Sequence, residues 1–204
     1  LFEDGAFTSM TVDDQIVMVP GTADVTTVVW YNVAVFEELG IDVPATWAEF
    51  LELSAALDEG GYVPLAIGNR DLWAAGNFGS HIMSGMLGAD QYDAMMRGEL
   101  PLDDPSVVAA MDVVAELADA GVVNDSLNAI ADDEGAQLFF QEVAAMHPIG
   151  SWLVSWAIEE APDLEFDYFN LPAIEGEADP GSVMAVATGY VVNAESPNIE
   201  LAVE

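Results

Sequence analysis

The charge of this chain restricts its possible folds more than any other feature of the sequence. Its 204 residues include 37 aspartates and glutamates but 2 lysines and arginines together, which gives a formal net charge of -35. The acidic residues are spread along the chain, which indicates a solvated surface around a packed interior. Their mutual repulsion weakens the compact state at low ionic strength, whereas salt near 1 M shortens the Debye length to about 3 Å. The sequence therefore predicts an acidic surface and a halophilic source.

The composition also argues against several classes of protein. Disordered acidic chains are poor in aliphatic and aromatic residues, yet this sequence is 52% hydrophobic and has 5 Trp, 5 Tyr and 9 Phe. No nucleic-acid partner is expected, because the chain cannot neutralise phosphates. The lack of cysteine rules out disulfides and thiolate metal sites. No apolar run of about 18 residues is present, so no membrane span is expected.

Strand and helix signals alternate along the chain, which predicts an α/β architecture. Runs of β-branched and aromatic residues predict strands at 15–20, 25–31, 63–67, 143–149, 166–171 and, as one broken or two short strands, 183–192. Helical spacing and capping signals predict helices at 32–40, after Thr46, and at 74–87, 105–120, 132–142, 153–160 and from 197 onward. We expect a turn at Gly21 between the first two strands, and a polar loop at 174–181.

Two strand-to-helix junctions have the same arrangement. One runs from Gly68 to Trp73 and the other from Gly150 to Trp152. Such loops are where α/β folds keep their binding groups, so these two junctions are the first places to look for a site.

Several stretches, in this order, resemble the extracellular solute-binding protein family that includes the maltose-binding protein. They are VVWYNVAVFEELGIDVPATWAEF, AAMHPIGSWLVSW, FDYFNLPAIEG and VATGYVVNAESPNIELAVE. The resemblance covers nearly the whole chain and implies a type II periplasmic-binding-protein-like fold of the α/β class. In such a fold two lobes are joined by crossing strands and close over a ligand by a hinge motion.

That layout implies three parts of the chain. Residues 1–28 would lead from the first lobe into the hinge, 29–187 would form the second lobe, and 188–204 would cross back. The chain starts at Leu1 and stops at Glu204 inside an expected helix, so we expect both ends to be cut from a longer protein.

The resemblance also implies a function. It predicts the substrate-binding component of an ABC transporter, a monomer without a cofactor that captures a sugar or oligosaccharide and delivers it to membrane permease subunits. Its place would be the cell surface or, in a Gram-negative cell, the periplasm. Two alternatives stay open: a binding protein for another solute such as glycerol phosphate, and a glycosidase-like enzyme with paired carboxylates.

The candidate site residues follow from sugar chemistry and the resemblance together. Sugars present C–H faces edged by hydroxyls, so their sites combine an aromatic platform with carboxylate, amide and guanidinium groups. Trp73 and Trp152 match the family's stacking positions, with a core tryptophan as the alternative for Trp73. The other candidate ligand-binding residues are Arg70, Asp71, Asp24, Thr26, Asn77, Ser151, Thr188 and Gly189. Arg70 either donates to ligand hydroxyls or pairs with Asp71 or another acid.

The remaining conspicuous residues have simpler interpretations. Trp47 and Trp156 are expected to pack in the interior, and Arg97 to be exposed. His81 and His147 are expected to be structural, because neither belongs to a metal-binding motif. The chain has no nucleophile elbow, Walker loop or dinucleotide fingerprint, so no catalytic residue is proposed and the protein is not expected to be an enzyme. Cations are expected to associate only diffusely with its acidic loops.

Overall fold

The computed structural model contains both strands and helices, and it describes Phe7, residues 10–176 and residues 183–203. The strands are β1 (Thr11–Val12), β2 (Gln15–Ile16), β3 (Val19–Val25), β4 (Val28–Asn32), β5 (Val63–Leu65), β6 (Ala144–Ile149), β7 (Phe166–Phe169) and β8 (Ala185–Tyr190). The helices are α1 (Val33–Leu39), α2 (Trp47–Glu59), α3 (Ala74–Met96), α4 (Pro105–Asp119), α5 (Asp132–Phe140), α6 (Leu153–Glu160) and α7 (Ile199–Val203). In the described part of the chain, no helix has the length and apolarity to cross a bilayer.

The chain divides into two compact units. One consists of Leu1–Asp24 together with Ala185–Glu204, and the other is Val25–Met184. These limits differ by a few residues from the lobes expected at 1–28, 29–187 and 188–204. The assignment of the units to lobes stays a prediction.

A mixed four-stranded sheet organises the larger unit. Its strand order is β5-β6-β4-β7, with β5 parallel to β6 and β4 antiparallel to both β6 and β7. All six residues of β6 are buried, because this strand lies inside the sheet with α3 and α5 against it. The core around it includes Val29, Phe50 and Phe139, each without exposed surface. Trp47 and Trp156 pack against this core, which confirms the prediction for both.

Local capping signals set several helix ends where the sequence places them. The side chain of Asn32 accepts the Val35 N–H at the start of α1, and Gly40 ends that helix with φ of 64°. At the start of α2, Thr46 and Glu49 form the predicted capping box. These contacts lie within four residues, which is why sequence spacing alone predicts them.

The turn expected at Gly21 is wrong. Gly21 lies inside β3, which pairs with β8, and the first turn comes earlier, at Asp13 and Asp14 between β1 and β2. Both of these residues have positive φ, as a two-residue hairpin turn requires. Pro20 is tolerated in β3 because this strand belongs to a two-stranded ribbon, where one side needs no hydrogen-bond donor.

Two other elements differ from those expected, and one predicted loop is only partly described. Helix α3 continues to Met96 rather than Leu87, because a kink at Gly88, with φ of 73°, joins two helical stretches. The region 183–192 holds a single strand, β8. Part of the loop expected at 174–181 lies outside the described residues.

The backbone of the junction after β5 touches the first turn of α5. A Cβ atom at Gly68 would lie 1.8 Å from the carbonyl oxygen of Ala131, and one at Gly135 would lie 2.7 Å from the amide nitrogen of Gly68. Neither position has room for a side chain. Two glycines therefore allow the junction to lie directly on the helix.

This contact predicts opposite effects for two glycine substitutions in neighbouring segments. Gly68→Ala should lower the free energy of unfolding by about 2 to 4 kcal/mol, because the new methyl group overlaps backbone atoms that cannot move aside. Gly76→Ala should raise it by about 0.5 to 1 kcal/mol, because Gly76 lies in α3 with open space around its Cβ position. Denaturant unfolding in high salt measures both. Equal stability of the two variants would contradict the close approach.

Candidate functional site

Two tryptophans meet at the end of the sheet where β5 and β6 finish. Trp73 precedes α3 after β5, and Trp152 precedes α6 after β6. Because β5 and β6 are parallel neighbours, the loops that follow them leave the sheet at the same edge. The centroids of the two indole rings are 6.1 Å apart and their planes are inclined by 48°. The structure thus brings together the two residues predicted to stack on a ligand.

The two indoles differ in exposure. Trp73 is 39% exposed, which does not fit the alternative of a core tryptophan. Trp152 is partly buried and packs against the core. Its ring lies over Gly150, where a Cβ atom would be 2.0 Å from Cζ3 of Trp152. Glycine at position 150 therefore lets the indole fold back over the end of β6.

The loop that carries Trp73 is fixed to the segment before α5 by hydrogen bonds. The N–H of Asn69 donates to the Leu127 carbonyl at 2.7 Å, and its side-chain amide donates to Asn128 Oδ1 at 2.9 Å. Asn69 Oδ1 also accepts the N–H of Ala75 in the first turn of α3. A loop held on both sides presents its side chains in one arrangement, which lowers the entropy lost on binding.

Arg70 adds an ion pair to these contacts. Its Nη1 lies 2.8 Å from Oε2 of Glu134, and the same oxygen accepts the N–H of Ala131. Both side chains are about half exposed, so the pair contributes little stability by itself. Of the roles left open for Arg70, the structure shows pairing with an acid other than Asp71.

Asp132 is the one buried acidic residue in the described part of the chain. It begins α5 beneath the same loop and is 4% exposed. Neither carboxyl oxygen has a hydrogen-bond partner among the described residues. Burial raises the pKa of Asp132 to about 6, and the charges of Asp133 and Asp71 add to the rise.

The two histidines have structural positions. Nδ1 of His147 lies 2.7 Å from the Ala66 carbonyl, and complete burial lowers the pKa of His147 to about 4. Burial also lowers the pKa of His81, in α3. Both are therefore neutral near pH 7. Within the residues described, no group of three or more His, Asp or Glu side chains could hold a metal ion.

The sequence profile of the family described as bacterial extracellular solute-binding protein matches residues 2–204. The chain belongs to this family. The predicted family and the α/β, periplasmic-binding-protein-like fold are both confirmed.

The chain is similar to several known proteins. The multiple sugar-binding protein of Streptococcus mutans is 25% identical over 79% of this chain and 39% of its own length. The solute receptor AcbH, with an exclusive preference for β-D-galactopyranose, is 30% identical over 85% of this chain and 43% of its own, with a TM-score of 0.70. A chitin oligosaccharide binding protein is 24% identical over 93% of this chain and 48% of its own, with a TM-score of 0.84.

This chain covers less than half of the length of each curated relative that it matches. It spans 34% to 42% of the length of the curated relatives that it matches. The ligand contacts and partners of a whole relative are therefore proposals for this chain.

The other candidates in Val25–Met184 lie at or near the loop ends. Asn77 is partly buried, one helical turn after Trp73, to whose carbonyl its N–H donates. The N–H of Ser151 donates to the Val25 carbonyl at 3.0 Å. Thr26 is buried, and its hydroxyl donates to the Met184 carbonyl. The hydroxyl hydrogen of Thr26 is therefore already part of a hydrogen bond. Their roles toward a ligand stay predictions.

Three candidates belong to the other unit. Asp24 is partly buried in β3, Thr188 bonds through its hydroxyl to that of Thr22 at 2.6 Å, and Gly189 approaches Met18 and Val19. Their roles also stay predictions.

Arg97, in the larger unit, is about half exposed and pairs with Asp93 and Glu99, which confirms the exposure expected for it.

Sequence reasoning missed Asn69 and the burial of Asp132. Asn69 follows a glycine at a strand end, which is a recognisable turn signal. The sequence assigns Asp132 only to the acidic loops with which cations are expected to associate diffusely. No signal in the sequence separates it from the other acids, because its burial depends on the distant loop at Gly68.

The raised pKa of Asp132 predicts a pH-dependent penalty. Since its folded pKa exceeds the unfolded value of 3.8, the ionised form is disfavoured in the folded protein. The folded protein is therefore not penalised by Asp132 below about pH 4, where the carboxyl is neutral. It loses stability as the pH rises through about 6, because the buried carboxyl then ionises. Asp132→Asn should therefore raise the free energy of unfolding near pH 7.5 by about 1 to 2 kcal/mol, with a smaller gain near pH 4.5.

The measurement is denaturant unfolding of the two proteins across this pH range in constant high salt. Asp112→Asn is the matched control, because Asp112 is exposed on α4. A gain that is equal at both ends of the range, or shared by the control, would contradict the burial of an ionisable carboxyl.

Proposed function

We propose that this chain is the ligand-capturing part of a sugar-binding protein of an ABC importer. The observation that carries the proposal is the pair of Trp73 and Trp152 at the ends of adjacent parallel strands. Two inclined indoles give an apolar surface on which the C–H face of a sugar ring stacks. The polar groups beside it, from Arg70 and Asp71, are suited to the hydroxyls at the edge of the ring.

The remaining binding contacts are assigned by the family resemblance. They come from Asn77, Ser151, Thr26, Asp24, Thr188 and Gly189. Sugar-binding names among the relatives, such as the multiple sugar-binding protein and the chitin oligosaccharide binding protein, support a sugar as the ligand. An anionic solute such as glycerol phosphate fits less well, because Arg70 is paired with Glu134.

The proposed place and partners follow from the family. The protein acts outside the cytoplasmic membrane, at the cell surface or in a periplasm, and passes its ligand to the permease subunits of the importer. It works as a monomer and performs no catalysis. Ligand capture shifts the equilibrium between open and closed states only as far as the ligand prefers the closed one.

The halophilic character is also part of the proposal. Apart from Asp132, every acidic residue that the structure describes is partly or fully exposed. We therefore expect unfolding at a higher denaturant concentration in about 2 M KCl than in about 0.1 M KCl, because salt screens repulsion among these carboxylates. An uncharged osmolyte of equal osmolality is the control. Equal stability in both KCl concentrations would contradict a salt-dependent fold.

Tryptophan fluorescence titration of the protein as its gene encodes it tests the function. The ligands are glucose, galactose, maltotriose and raffinose in high salt, with analysis of each sugar afterwards. A saturable change with intact sugar is the expected result. Cleaved sugar would establish a glycosidase instead, and no response to any of these sugars would overturn the proposed sugar-binding function.

Two variants connect this binding to the tryptophan pair. Trp73→Ala and Trp152→Ala should each weaken the affinity by about 1 to 3 kcal/mol, because each removes half of the stacking surface. Trp156→Phe is the matched control, since Trp156 packs against the core in α6, one turn beyond Trp152. Unchanged affinity in both alanine variants would show that the sugar binds away from the tryptophan pair.

A further inference from the structure

Leu72 has a backbone conformation that leucine rarely adopts. Its φ is 66°, in the left-handed region that favours glycine, asparagine and aspartate. The non-glycine residues with positive φ in the described part of the chain are Asp13, Asp14, Leu72 and Glu142. Leu72 is the one hydrophobic residue among them. Asparagine or glycine would suit this position better on conformational grounds.

Burial does not explain the leucine either. Its side chain is 80% exposed, the highest value among the exposed large hydrophobic residues that the structure describes. Packing in the core therefore does not hold the leucine in its strained backbone conformation. Strain of this kind concentrates at functional positions, where surrounding contacts hold it in place.

The surroundings do hold this residue in place. The N–H of Leu72 donates to the Asn69 carbonyl at 2.9 Å, and the N–H of Arg70 donates to the Ile130 carbonyl at 2.9 Å. The residue after Leu72 is Trp73, whose ring is paired with that of Trp152. The loop therefore presents an exposed apolar side chain at the residue next in sequence to Trp73.

We infer that Leu72 is a specificity-determining ligand contact that extends the tryptophan surface and selects sugars longer than one ring. This inference rests on the proposed function. The C–H faces of pyranose rings are apolar, so a ring beyond the one on the indoles would gain from an aliphatic side chain next to them. A single ring already covered by the indoles gains little from Leu72.

Three substitutions separate the side chain from the backbone. Leu72→Gly and Leu72→Asn both suit a positive φ and remove the apolar surface, whereas Leu72→Met keeps an apolar side chain. Leu102→Ala is the matched control, because Leu102 is 74% exposed and follows the opposite end of α3 from Trp73. Titrations use the protein as its gene encodes it, in high salt, with glucose, galactose, maltotriose and raffinose.

The expected result has two parts. Leu72→Gly and Leu72→Asn unfold at no lower denaturant concentration than the wild type, and both lose about tenfold in affinity for a trisaccharide that the wild type binds. Affinity for a monosaccharide changes less than about twofold, and Leu72→Met and Leu102→Ala keep wild-type affinity for both.

Other outcomes overturn the inference in distinguishable ways. Unchanged trisaccharide affinity in the Gly and Asn variants excludes a contact by Leu72. A loss in the Gly variant alone indicates loop flexibility instead. An equal loss for mono- and trisaccharides, or a wild type that binds monosaccharides only, excludes selection by length. A wild type that binds none of these sugars overturns the proposed function together with this inference.

Discussion

The contact between the junction after β5 and the first turn of α5 is the constraint on which the candidate site depends. Gly68 and Gly135 allow backbone to touch backbone there, and the loop that leaves this contact carries Asn69, Arg70 and Trp73. Hydrogen bonds from Asn69 and Arg70 fix the loop to residues 127–130. The position of Trp73 beside Trp152 thus follows from a glycine contact outside the tryptophan pair itself.

Charge is the second constraint. Most carboxylates are exposed at the surface, whereas one carboxyl is buried beneath the loop. With a net charge of -35, the chain has few cations for pairing, and one of its two arginines joins the loop to Glu134. Asp132 lies buried under the same loop without a hydrogen-bond partner among the described residues. A buried carboxyl at the start of α5 and an unusual leucine conformation in the loop that contacts this helix both reduce stability, and such costs are typical of functional regions.

The sequence predicted those features of the fold that depend on local contacts. The caps at Asn32 and Thr46 involve neighbours within four residues, and the resemblance placed both tryptophans at junctions that the parallel strands then bring together. The prediction of a turn at Gly21 failed because β8, the strand that pairs with β3, lies far along the chain. The burial of Asp132 was out of reach for the same reason, since the packing of the distant loop at Gly68 determines it.

A crystal structure of the protein as its gene encodes it, grown in high salt with a sugar that it binds, is the most direct test of the central claim. The tryptophan pair predicts a sugar ring stacked against Trp73 and Trp152, with the 68–73 backbone unchanged on α5. A sugar bound away from both indoles, or a loop that rebuilds itself around the ligand, would contradict the preformed platform.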